Sequence, residues 1–125
     1  MGSSFPLLDS SEAAMFDADT IGAELDVLIL LFPAEATDLP AKSRFTVMPR
    51  QRAAQGDLVA VATCDGTTCA GFYQCENDQA AIISFSQQER LRWNVADESR
   101  FIRWIFPVSQ VAFSCICQSP PAQTE

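Results

Sequence analysis

The chain has 125 residues, 48% of them hydrophobic and 19% charged, with a formal net charge of −8. This size and hydrophobic content fit one globular domain and exclude a disordered chain. The absence of histidine removes the commonest general base and any Ser-His or Cys-His pair, and no apolar run approaches the roughly 20 residues that cross a bilayer.

The first forty residues carry Asp9, Glu12, Asp17, Asp19, Glu24, Asp26, Glu35 and Asp38, and no cation precedes Lys42. Clustered Lys and Arg are what phosphate binding requires, so this end makes no direct nucleic-acid contact. It is read as a solubilising surface or as a face for a basic protein partner, with Asp17, Asp19, Glu24 and Asp26 as the candidate contacts. The N-terminus has no positive charge and no apolar stretch resembling a secretory signal. A cytoplasmic location is the expectation, with no membrane contact.

Residues 1–9 read as a loose lead-in, and Ser10-Ser11-Glu12 as the cap of a short helix through Ala13, Ala14, Met15 and Phe16. Leu25 to Phe32 is a continuous apolar run stopped by Pro33, as in a buried strand. A loop between Pro33 and Pro40 follows, then a strand over Arg44 to Met48 stopped by Pro49. Gly56-Asp57 introduces a strand from Leu58 to Thr63. Asp65-Gly66 marks a hairpin turn into a strand from Cys69 to Cys75, and Asn77-Asp78 a turn into Ala80 to Phe85. Leu91 to Val95 alternates as a half-buried strand. Phe101 to Cys117 is aromatic and β-branched, with Pro107 splitting it or forcing a bulge. Ser119-Pro120-Pro121 opens a tail expected to be disordered. Six to eight short strands with little helix after position 20 predict a mainly β fold. The expected divisions are an acidic N-terminal arm over 1–24, a β domain over 25–117 and a tail over 118–125.

The cysteines (Cys64, Cys69, Cys75, Cys115, Cys117) lack the spacing of a zinc site. Small buried hydrophobes are the preferred reading over zinc or redox roles, and no cofactor or metal is expected. Ser84 and Ser86 would share a strand face as ordinary polar alternation. The carboxylate pairs Asp17/Asp19 and Asp97/Glu98 match no metal-binding loop. Arginines interleaved with Trp93 and Trp104 suggest base stacking or, preferably, an interface in which Arg92 and Trp104 are anchors.

Val47-Met48-Pro49 followed by Gly56-Asp57-Leu58-Val59-Ala60-Val61 resembles the C-terminal domain of the LexA, UmuD and phage-repressor family of serine autopeptidases. The resemblance spans about residues 25–117. It implies a domain of short twisted strands with a short N-terminal helix or arm, as in the UmuD-like members that lack a helix-turn-helix. It also implies a Ser-Lys dyad, and here the sequence departs from the family. The nucleophile position, immediately before Met48, is Val47. The stretch Phe72 to Phe85, where the resemblance would place the neutral lysine, contains none. The Ala-Gly or Cys-Gly cleavage site upstream of the nucleophile is missing. The expectation is a non-catalytic interaction and oligomerisation module, a homodimer or the partner of a repressor or other DNA-binding regulator, modulating transcription or a stress response in a bacterium or phage. The alternatives are a divergent autopeptidase using an unrecognised serine, although Ser43 beside Lys42 would point to the opposite strand face and not readily pair with it, and a small acidic secretion chaperone of dimeric α/β type.

Overall fold

A computed structural model of the chain describes residues 6–37, 39 and 43–112. The fold is mainly β. Eight strands are joined in one mixed sheet: β1 (Leu7–Asp9), β2 (Leu28–Phe32), β3 (Ser43–Val47), β4 (Leu58–Thr63), β5 (Thr68–Glu76), β6 (Gln79–Ile83), β7 (Glu89–Asn94) and β8 (Ile102–Ala112). Their order is β1-β2-β3-β8-β4-β5-β6-β7. The β1–β2 pairing is parallel and the others antiparallel.

Strand β8 joins the two halves. Residues Ile102 to Pro107 pair with β4, and Val108 to Ala112 pair with β3. Pro107 does not split the strand. A bulge lies beside it, because Thr46 pairs Gln110 whereas Val47 pairs Val108, leaving Ser109 over. The Pro107 carbonyl accepts from Met48 N–H at 3.0 Å, so proline's missing donor falls where β3 is ending.

Two buried clusters use opposite faces of β4. Ala60 and Ala62 join Leu28, Leu30, Phe32, Phe45, Val47, Trp104 and Phe106. Val59 and Val61 join Cys69, Ala80, Ile82, Trp93 and Ile102. The alanines leave room for the large rings opposite. Phe32 and Phe45 meet edge-to-face at 5.0 Å, and Trp104 stacks on Phe106 at 4.6 Å, geometries favoured for aromatic pairs.

Helix α1 (Ser10–Ala13) begins one residue earlier than the serines predict, because Asp9 is its N-cap and Ser10 is buried inside the first turn. Asp9 N–H donates to Glu12 Oε1 at 3.3 Å, as in a capping box. Met15 and Phe16 therefore lie beyond the helix and are exposed. Helix α2 (Ala18–Glu24) absorbs residues read as lead-in and shortens the expected strand, since Leu25 N–H still donates to Ile21 O at 2.9 Å. Helix α3 (Ala34–Thr37) occupies the proline-bounded loop, and a turn of 3-10 helix leads into α4 (Glu98–Phe101). Residues 7–24 pack as part of the same body: β1 pairs β2, and Ala13, Ala14 and Ile21 belong to the larger core. The tail at 118–125, with Cys115 and Cys117, lies outside the described residues.

Glycine is required at Gly71 in β5. A Cβ there would stand 2.5 Å from the Ile83 carbonyl oxygen and 2.9 Å from Ile82 Cγ2. Gly71→Ala should destabilise the fold by about 1–3 kcal/mol through overpacking, read as a lower midpoint in urea unfolding, whereas an alanine at the exposed Thr20 should change it by less than about 0.5 kcal/mol.

Candidate functional site

The segment carrying the family resemblance is a rigid corner. After β3, Met48 and Pro49 turn the chain, with Gln51 N–H donating to Met48 O at 3.0 Å. Gly56 sits at φ 92°, a conformation that favours glycine. Its N–H donates to Tyr73 O at 2.7 Å, and Tyr73 N–H donates to Asp57 O at 2.9 Å. The Asp57 carboxylate accepts from Ala54 N–H at 2.8 Å. Arg50 ties this corner to α2, donating to the carbonyls of Gly22 and Ala23 and pairing with Asp26.

Val47, the position corresponding to the nucleophile, is completely buried. Ala70 lies in its cluster, and Phe85, from the stretch where the base would stand, packs against it. Ser43 and Ser84 are both buried. Ser43 is fully buried on the core face of β3, while Lys42 lies outside the described residues. Ser84, also fully buried, receives Gln88 N–H at 3.1 Å and contacts the Ser86 hydroxyl at 3.0 Å. Among the described residues no group of three or more Cys, Asp or Glu is placed to hold a metal.

The acidic residues singled out from the sequence are exposed but not equivalent. Asp17 pairs with Arg103 at 2.9 Å and Asp26 with Arg50, whereas Asp19 and Glu24 make no ion pair among the described residues. Arg92 is exposed on β7 and paired with Glu89 at 2.7 Å. Trp104 is not an interface anchor. It is 2% exposed, and its indole N–H donates to Ala13 O at 3.1 Å. Its position in the alternation of β8 turns it, with Phe106, into the larger cluster.

An apolar concavity lies elsewhere. A cleft of about 520 Å³ opens between β7, the β4–β5 hairpin loop and α4. Its walls include Leu91, Trp93, Phe101 and Ile102, with Arg92 and Arg100 at the edge and Cys64 and Asp65 opposite. Trp93 is fixed by Tyr73, stacked at 6.3 Å, and by its N–H bond to Glu98 at 2.9 Å. Phe101 remains 54% exposed. A second depression continues past Cys64 and Ile102 to Ser99, Arg103 and Asp17. Sequence reading missed this site because Phe101 was assigned to the last strand, when it ends α4 instead. No family model matches the chain, and no curated protein is similar to it.

The cysteines divide by environment. Cys69 is buried, and burial pushes its thiol up to about 11 against the opposing charge of Arg90. Cys64 is exposed and Cys75 half-buried, so the expectation of buried hydrophobes holds for Cys69 and fails for Cys64. Alkylation of the native protein near pH 8 should label Cys64 and spare Cys69 until denaturant is added, as read by peptide mapping; rapid labelling of Cys69 would show that its cluster opens.

Asp65 in the cleft wall accepts from Thr63 Oγ1 and from Thr67 N–H, and these bonds, the first largest, hold its carboxyl below the ordinary 3.8. The bonds favour the carboxylate, so the stability they give the hairpin loop is present above the unfolded value and is lost as pH falls through the folded one. An NMR titration should place the Asp65 midpoint below 3.8, and Thr63→Val should raise it.

Proposed function

We propose that the chain is a non-catalytic protein-interaction module, resembling a LexA-like C-terminal domain that has lost its dyad, and that it acts by associating with itself or with a transcriptional regulator. The observation that carries this reading is position 47. An acyl-transfer nucleophile needs a hydroxyl, a base within hydrogen-bond reach and access to the scissile carbonyl. Val47 offers no oxygen and no access, and it belongs to an apolar cluster that includes Ala70 and has Phe85 packed against it. The buried, hydrogen-bonded Ser84 and the fully buried Ser43 speak against a substitute serine. Among the described residues no helix is long and apolar enough to cross a membrane.

The acidic surface over α2 supports a basic partner, with Asp19 and Glu24 best placed to contribute. Asp17 and Asp26 already serve internal pairs that are exposed, and each pair contributes about 0–1 kcal/mol. Partners captured from a native extract should be released by moderate salt and lost by the variant carrying Asp19→Asn and Glu24→Gln, at unchanged thermal stability. Capture that is indifferent to both would remove the acidic face from the proposal. Incubation at alkaline pH, where a dyad lysine would be neutral, should yield no fragment by mass spectrometry for wild type. A discrete cleavage product would instead establish the divergent autopeptidase.

A further inference from the structure

We propose that a second copy of this chain docks reciprocally at the Phe101 cleft, each protomer placing Met15 and Phe16 between β7 and α4 of the other. This deepens the interaction-module reading, on which it rests, by naming the surface and the partner.

Met15 and Phe16 are 77% and 46% exposed, and they follow a helix whose last residue, Ala13, is locked by the Trp104 indole. On their other side, Asp17 is held to Arg103. The pair is thus presented on a braced turn, and ordering it on binding costs little conformational entropy. Its place beside the cleft is fixed by shared walls. Asp17 lines the same depression as Cys64 and Ile102, and those two residues also line the Phe101 cleft. An apolar protrusion next to an apolar recess on one molecule suits a two-fold interface, where residue i meets j and j meets i.

Charge favours the same occupant. Arg100 stands at the cleft edge without an ion pair among the described residues, and Asp19, just after the protrusion, is likewise unpaired. Docking brings this acid and this base together twice. Met15, Phe16 and Phe101 are 77%, 46% and 54% exposed, so at roughly 150–250 Å² per fully exposed large side chain the two protomers together supply roughly 500–900 Å². That is below the 1,200–2,000 Å² of stable complexes, so the dimer is weak and concentration-dependent.

Sedimentation velocity from micromolar to millimolar protein should show monomer converting to dimer, less readily at high salt. Phe16→Ser and Phe101→Ser should each remain monomeric with an unchanged circular dichroism spectrum, while Leu7→Ser, exposed at the opposite end of the sheet order, should still dimerise. Wild type that stays monomeric, or a dimer indifferent to both substitutions, overturns the surface assignment; assembly that grows past the dimer, as a head-to-tail contact would, overturns reciprocal docking. None of these outcomes touches the non-catalytic reading, which fails only if the alkaline incubation yields a fragment.

Discussion

Everything in this molecule depends on β8 serving two neighbours in succession. Its first half completes the sheet containing β4 to β7, and its second half completes the sheet containing β1 to β3. The bulge at Ser109 lets one strand satisfy both registers, since an extra residue locally bends and twists a strand. The same strand places Trp104 and Phe106 in one cluster and Ile102 in the other. A change that shifted β8 by one residue would turn both sets of side chains to the wrong faces.

That arrangement explains why the corner after β3 is closed to solvent at Val47. Val47 is the last residue of β3, directly across from Val108 of β8, and it belongs to the larger apolar cluster. Such an environment would suit a neutral amine, which burial favours over its charged form. Without the amine and the hydroxyl, the same packing becomes a structural joint. The chemistry that remains accessible lies at the cleft beside β7, where apolar rings, two arginines and an exposed thiol meet.

Much of the sheet was legible in the sequence because its local signals agreed. Leu58 to Thr63 is bounded by Gly56-Asp57 and by Asp65-Gly66, and β4 has those limits. Asn77 and Asp78 both adopt positive φ, as a two-residue hairpin turn requires. The errors arose where tertiary packing overrode local pattern. Leu7 to Asp9 became a strand only because β2 offers a parallel edge, which periodicity over three residues does not reveal. Leu25 reads as strand but ends α2, whose Ile21 is recruited to the core. Of the site residues, the acids and Arg92 were exposed as expected, being charged, whereas Trp104 went inward because its single polar atom found the Ala13 carbonyl. The cleft itself was illegible, since it joins Thr63, Leu91 and Phe101, residues brought together only by the coiling of the sheet.

The position of β8 in the chain also shapes how the protein is made. Among the described residues this strand follows the seven others in sequence yet sits between β3 and β4 in space. During synthesis on the ribosome, the two half-sheets emerge with their facing edges bare until the final strand is delivered. Unsatisfied edges of that kind recruit other chains, so the nascent polypeptide is most vulnerable to misassembly in the interval before residues 102–112 leave the exit tunnel.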